Sequence, residues 1–198
     1  MSTVLEQALF EPEDLLTMPD GDRFELVDGQ LVERNMSKWS SYVAGTMHHL
    51  LRSHNDAHRF GWVYPEGTSY QCFPGAPKQV RRPDVSLIRL ERISPDEAMS
   101  DGHLRIAPDL AVEVVSPNDL AYEIDEKVDE YEAAGVKLVW IVNPATKAVR
   151  VHRDDGTVTV LREKDELDGE NVVPGFRCRV ADLFLPAAGA STEKSSES

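Results

Sequence analysis

The feature that most constrains the fold is an apolar run, Leu110 to Val115, with one carboxylate, Glu113, inside it. Its length and its β-branched residues predict a buried strand. Burying an unpaired carboxylate costs on the order of several kcal/mol, so Glu113 should be protonated, paired with a cation or bound to a metal. The surrounding sequence must therefore supply one of these solutions.

The segment after this strand predicts an amphipathic helix from Asp119 to Ala134. The residues before it offer helix caps, and Gly135 is a good C-terminal stop. Its apolar residues form one stripe at helical spacing: Leu120, Ile124, Val128 and Tyr131. Lys127 lies beside that stripe, whereas the acidic residues occupy the remaining face. Lys127 can therefore meet Glu113, which shares a strand face with Ala111.

The order of strands and helices predicts an α/β fold, a mixed sheet flanked by helices. Asp28-Gly29 predicts a hairpin over residues 23–35 that joins this sheet. Residues 11–18 predict a short helix, and residues 37–58 a long amphipathic one. Further strands are expected at 62–73, 84–90, 110–115, 138–142 and 148–153, and near 157–161 and 171–173. With 198 residues, 41% hydrophobic, we expect one domain over 1–186 and a disordered tail over 187–198.

Composition restricts the functional classes. The net charge is −14, with 35 acidic and 21 basic residues, which disfavours binding of nucleic acid by bulk electrostatics. It does not exclude a phosphodiesterase, because acidic clusters can hold metal ions that supply positive charge locally. Cys72 and Cys178 lack metal-site spacing, which disfavours zinc. No basic–apolar leader or membrane-length apolar run is present, so we expect a cytoplasmic protein.

Two further acids lie on predicted strands. Asp84 opens the strand DVSLI, and Glu25 alternates with apolar residues in the hairpin. Carboxylates that converge from separate strands provide the oxygen ligands that Mg²⁺ requires. A neighbouring lysine can orient or deprotonate the attacking water, or stabilise the charge that develops on a phosphate. Glu25, Asp84 and Glu113 are therefore candidate metal ligands, and Lys127 a candidate catalytic residue.

Simpler interpretations remain open for each residue. Glu113 and Lys127 could form a buried structural ion pair. Asp84 could be a turn residue after Pro83, Glu25 could be solvated, and Lys127 could extend to solvent from the helix edge. The pair Arg81-Arg82 could contact phosphate or neutralise nearby acids.

Four motifs in order resemble the Uma-type family of restriction-endonuclease-like proteins, within the PD-(D/E)xK nuclease superfamily. They are PDV at 83–85, PDLAVEVVSP at 108–117, EKVDEYEAAGVKLVWIVNP at 126–144 and PGFRCRVADLF at 174–184. The resemblance implies a restriction-endonuclease-like core. It also implies that Asp84 and Glu113 are the metal-binding acids and that Glu25 is the acid of the ELVDG hairpin. The superfamily lysine would lie two residues after Glu113, where this chain has Val115, so Lys127 is implied to supply it.

These observations predict a Mg²⁺- or Mn²⁺-dependent endonuclease that hydrolyses nucleic-acid phosphodiesters, with DNA as the preferred substrate. The resemblance, and the need to reach both strands of a duplex, favour a homodimer. One alternative is a catalytically silent scaffold of the same fold that binds a basic protein partner through its acidic surface. Another is hydrolysis of a different phosphate ester.

Overall fold

A computed structural model describes residues 9–34 and 36–184 of the chain. Its centre is a six-stranded sheet in the order β3-β4-β5-β6-β7-β8. These strands are β3 (Gly61–Tyr64), β4 (Val85–Arg89), β5 (Leu110–Val114), β6 (Leu138–Asn143), β7 (Ala148–Arg153) and β8 (Val158–Arg162). Only β5 and β6 pair in parallel within this sheet, and the other neighbours are antiparallel. The predicted α/β class with a mixed sheet is confirmed.

Two helices cover the sheet, one on each face. They are α2 (Lys38–His58) and α4 (Ala121–Ala133), which connects β5 to β6. On one face, α2 packs against Leu110, Val112 and Val114. On the other, α4 packs against Ala111. The alternation of side chains along β5 therefore places Glu113 on the α4 side, as the sequence predicted.

The hairpin formed by β1 (Phe24–Val27) and β2 (Gln30–Glu33) turns at Asp28-Gly29, where both φ angles are positive. Its predicted place in the main sheet is wrong, because it forms a separate two-stranded sheet. Leu26 instead exchanges two backbone hydrogen bonds with Val80, which lies in the irregular segment before β4. This contact holds β1 beside the start of β4.

Other predicted elements differ in extent or position. The first helix, α1, is confined to Asp14–Thr17, and β3 ends at Tyr64, so the expected strand over 62–73 is too long. The expected strand at 171–173 is a turn, which is closed by a hydrogen bond from the Val173 amide to the Gly169 carbonyl. It connects β9 (Glu166–Asp168) and β10 (Arg177–Arg179), a pair that the sequence did not predict.

The remaining described elements are a short helix α3 (Pro95–Ala98) and three single turns of 3-10 helix, Gly21–Arg23, Leu90–Arg92 and Val180–Leu183. The predicted tail at 187–198 lies outside the described residues. In the part of the chain that the structure describes, no helix combines the length and the apolar character that crossing a bilayer requires.

Candidate active site

The three predicted acids and Lys127 line one cavity of about 200 Å³. Four elements bring them together. Glu25 lies on β1, Asp84 directly precedes β4, Glu113 lies on β5 and Lys127 lies on α4. The three strands and the helix were predicted from the sequence, and their packing unites residues that are far apart in the chain. All three acids are at least nine-tenths buried.

Asp84 is held at the entrance to β4 by two hydrogen bonds. Its Oδ2 accepts from the Val114 amide at 2.7 Å, and its Oδ1 accepts from Arg34 Nη2 at 2.9 Å. Burial and the neighbouring charge of Glu113 raise the pKa of Asp84 to about 8, against the opposing effect of Arg34. Asp84 is therefore a buried acid that releases its proton less readily than an exposed aspartate, rather than a simple turn residue.

Glu113 is bound from the α4 side by a hydroxyl and an ammonium group. Its Oε1 accepts a hydrogen bond from the Tyr131 hydroxyl at 2.7 Å, and its Oε2 lies 3.2 Å from Lys127 Nζ. The cation that the sequence requires for Glu113 is therefore present. A structural ion pair and a catalytic pair are both compatible with this contact.

Glu25 is surrounded by hydrogen-bond donors. It accepts from the Arg82 amide at 2.8 Å and from Arg81 Nη1 at 3.0 Å, and its Oε2 lies 3.2 Å from Lys127 Nζ. Burial alone would raise its pKa, but Lys127 and Arg81 outweigh burial and lower the pKa of Glu25 to about 2. With 1% of Glu25 exposed, the solvated interpretation is wrong.

Lys127 bridges Glu113 and Glu25. Its side chain is 17% exposed, so it points into the cavity rather than extending to solvent. Burial lowers the pKa of Lys127, but the two carboxylates outweigh burial and hold it above the ordinary lysine value. Lys127 is therefore protonated at neutral pH, a state that can donate a hydrogen bond or stabilise negative charge but cannot accept a proton.

Arg81 and Arg82 take different roles. Arg81 pairs with Glu25 and with Glu130 of α4, whose carboxylate it contacts at 2.5 and 2.8 Å. Arg82 donates to backbone carbonyls, including that of Phe24 at 2.9 Å. Both guanidinium groups are thus used within the fold. The neutralising interpretation holds for Arg81, whereas Arg82 holds backbone segments together.

Sequence reasoning missed two residues of this site. Arg34, just after β2, carries no local signal, because its partner Asp84 is 50 residues away. Tyr131 was assigned only to the apolar stripe. A signal was available there, since a buried tyrosine hydroxyl needs a hydrogen-bond partner and Glu113 was predicted on the facing strand.

The residues fit a hard divalent cation with two protein carboxylates. Glu113 is near enough to Asp84 for its negative charge to raise the pKa of Asp84. A cation bound by both carboxylates would relieve that repulsion. Over residues 9–34 and 36–184, no three His, Cys, Asp or Glu side chains are arranged to hold a metal ion. Water would have to complete the coordination, and the ligand role of Glu25, whose oxygens already bind Lys127 and Arg81, stays a prediction.

Comparison with solved structures finds chains of similar fold. A crystal structure of a "putative nuclease belonging to DUF820" from Anabaena variabilis ATCC 29413 has a TM-score of 0.73 and 18% identity to this chain. The match covers 88% of this chain and 97% of that chain. At this identity the likeness shows the fold alone. A search of curated proteins found no match.

A family model described as "Uma2: Putative restriction endonuclease" matches residues 12–181. The match includes every candidate site residue and all ten strands, from Glu25 on β1 to the end of β10. Because the match spans most of the sequence, the resemblance of its ordered motifs is confirmed, and the chain belongs to the Uma2 family of restriction-endonuclease-like proteins.

Proposed function

We propose that this protein is a Mg²⁺- or Mn²⁺-dependent endonuclease that hydrolyses nucleic-acid phosphodiester bonds, with DNA as the preferred substrate. The observation that carries the proposal is the arrangement of Asp84, Glu113 and Lys127 in one cavity. Two buried, mutually repelling carboxylates stand beside a charged lysine 3.2 Å from one of them. Membership of a family described as restriction endonucleases supports the nuclease class.

In this proposal Asp84 and Glu113 would hold the cation. When bound, the cation would act as a Lewis acid toward the phosphate and lower the pKa of a water molecule. Lys127 donates hydrogen bonds from its charged ammonium, so it orients the attacking water or stabilises the charge that develops on the phosphate oxygens. Tyr131 fixes Glu113 through its hydroxyl, and Glu25 fixes Lys127 from the opposite side.

The charge of the cavity accords with dependence on a cation. Seven of its lining residues are acidic, and three are basic: Arg34, Arg81 and Lys127. A phosphodiester that enters the metal-free cavity would meet net negative charge. A divalent cation on Asp84 and Glu113 would reduce this repulsion where the phosphate reacts.

The direct test is nicking of supercoiled plasmid with Mg²⁺ or Mn²⁺, with EDTA as the blank. We expect wild type to nick the plasmid and Asp84→Asn to lose nicking. The matched control is Asp56→Asn, because Asp56 is an exposed acid on α2 that pairs with Arg52. Nicking that persists in Asp84→Asn or in EDTA would contradict the proposal. Hydrolysis of small phosphodiesters without plasmid nicking would instead favour a different phosphate ester as substrate.

One observation favours the scaffold alternative. Each of the three acids already has a cationic partner without a metal, namely Arg34, Lys127 or Arg81. Thermal melting with and without Mn²⁺ separates the two functions, because a cation raises the melting temperature only if it binds the folded state. An unchanged melting temperature, together with no nicking, would favour the scaffold.

We also propose that the protein acts as a homodimer, because a nuclease of this size needs two sites to cut both strands of a duplex. Light scattering over a dilution series measures the mass directly. A monomer that persists at high protein concentration would contradict the dimer without affecting the nicking of single strands.

A further inference from the structure

We infer that a second cavity, adjoining the catalytic one, binds the backbone phosphate next to the scissile phosphate. The inference rests on the proposed function and adds a substrate contact to it. This cavity, the flanking cavity, has a volume of about 320 Å³. The described residues that line it are Arg23, Arg34, Met36, Ser37, Pro117 and Asn118.

The flanking cavity adjoins the catalytic cavity. Arg34 and Met36 line both of them. Arg34 Nη2 contacts Asp84 in the catalytic cavity, so its guanidinium stands at the boundary between the two. A polynucleotide strand whose scissile phosphate lies beside Lys127 would therefore place its neighbouring phosphate on the side of Arg34 that faces the flanking cavity.

The charge of the flanking cavity is opposite to that of the catalytic one. Two arginines line it, and none of its described lining residues is acidic. This contrast is marked in a chain of net charge −14, whose catalytic cavity has seven acidic lining residues. The flanking cavity therefore suits an anionic group better than the metal-free catalytic cavity does.

The donors of the flanking cavity suit a phosphate oxygen. The Arg23 side chain is 59% exposed and, within the described part of the chain, pairs only with Glu33 at the surface, a contact that costs little to exchange. Asn118 is exposed at the end of the loop after β5 and can donate from its amide. The Ser37 hydroxyl is already engaged at the start of α2, where it accepts from the Ser40 amide at 3.0 Å. Asn118 and Arg23, the latter by exchanging its surface pair with Glu33, are thus the donors that a phosphate can engage.

The test measures binding of a short fluorescein-labelled DNA duplex in EDTA, which prevents cation-dependent cleavage, over a salt series. We expect Arg23→Met to weaken binding roughly tenfold, the effect of one charge-assisted hydrogen bond. The slope of log K against log salt should fall by about 0.9, the value for one lost phosphate contact. The matched control is Arg52→Met, since Arg52 is 56% exposed and also pairs with a surface acid, Asp56.

Cleavage kinetics provide the second measurement. Arg23→Met and Asn118→Ala should raise KM and leave kcat unchanged, because the flanking phosphate is held equally before and during the reaction.

If wild type binds and nicks DNA while Arg23→Met matches it in affinity, salt slope and KM, the flanking site is wrong and the nuclease proposal stands. If Arg23→Met loses affinity and slope but wild type never nicks, the flanking site holds and the nuclease proposal fails.

Discussion

The ammonium group of Lys127 lies 3.2 Å from the carboxylate of Glu113, and it is the cation that pairs with Glu113 among the described residues. Glu25, the other partner of Lys127, has a second cation in Arg81. Removal of the Lys127 charge therefore leaves Glu113 without a cationic partner among the described residues, whereas Glu25 keeps Arg81. This asymmetry makes Lys127 the best position at which to separate a structural pair from a catalytic one.

We expect Lys127→Met to lose about 3 kcal/mol of unfolding free energy in EDTA, because it leaves a buried carboxylate unpaired. Mn²⁺ should restore most of this loss, since the cation replaces the missing charge beside Glu113. Plasmid nicking should fall at least about 100-fold even with Mn²⁺. Urea unfolding with and without Mn²⁺, and nicking under the same conditions, measure these effects.

Lys147→Met is the matched control, because Lys147 forms an exposed pair with Glu163 on the surface. It should change neither stability nor nicking appreciably. A Lys127→Met protein that Mn²⁺ fails to stabilise would show that the pair is only structural.

Glu113→Gln tests the metal role of Glu113 directly. The amide keeps an oxygen for the Tyr131 hydroxyl and removes the repulsion with Asp84, so the protein should fold and melt near wild type in EDTA. An amide is a poor ligand for Mg²⁺ or Mn²⁺, so the rise in melting temperature with Mn²⁺ should disappear. In wild type, Mn²⁺ at a hundred times its Kd should add about 2.7 kcal/mol of stability.

Glu163→Gln is the surface control for this change and should keep the wild-type response to Mn²⁺. A full Mn²⁺ response in Glu113→Gln would remove Glu113 from the ligand set.

Tyr131→Phe tests whether the hydroxyl positions Glu113. The change removes the donor 2.7 Å from Glu113 Oε1 and leaves ring packing in place. A buried charged acceptor without its donor should cost about 2 kcal/mol in urea unfolding, and Mn²⁺ affinity should change because Glu113 is freer to move. Tyr122→Phe, in an exposed tyrosine of the same helix, is the control. Equal stability and equal Mn²⁺ affinity in the two variants would show that the Tyr131 hydroxyl has no positioning role.

The local parts of this site were predictable from sequence. Helical periodicity directed Lys127 toward the strand that carries Glu113, because α4 follows β5 directly. Strand alternation placed Glu113 on the correct face, and Asp28-Gly29 defined the hairpin that carries Glu25. Each of these features depends on residues that are close in the chain.

The charge pairing between distant segments was not predictable. Arg34 reaches Asp84 because the hairpin packs beside β4, and that packing depends on backbone hydrogen bonds between Leu26 and Val80 in an irregular segment. No periodicity encodes such a contact. The separation of the hairpin from the main sheet has the same cause, since pairing between strands distant in sequence depends on tertiary packing.

The last prediction concerns pH. The pKa of Asp84 is raised to about 8 in the folded protein, from about 4 in an unfolded chain. Between these values the folded state keeps a proton that the unfolded state has released, so stability falls as pH rises. The contribution of protonated Asp84 to the unfolding free energy is fully present below about pH 4 and is lost as pH rises through about 8. The ionised carboxylate of Glu25, whose pKa is lowered to about 2, also stabilises the folded state. That stabilisation is lost only as pH falls toward about 2, outside the range in which Asp84 titrates.

We therefore expect the unfolding free energy of wild type in EDTA to decline, relative to Asp84→Asn, as pH rises from about 5 to about 9. The two proteins share every other ionisable group, so the difference between their curves isolates Asp84. With Mn²⁺ the trend should reverse in wild type, because the cation binds the deprotonated carboxylate and its stabilising effect grows with pH. Urea unfolding across this range, with Asp56→Asn as the surface control, measures both trends. A wild-type curve parallel to that of Asp84→Asn in EDTA would show that Asp84 is already ionised and stably paired with Arg34, and its carboxylate would then be available to a cation only in competition with that arginine.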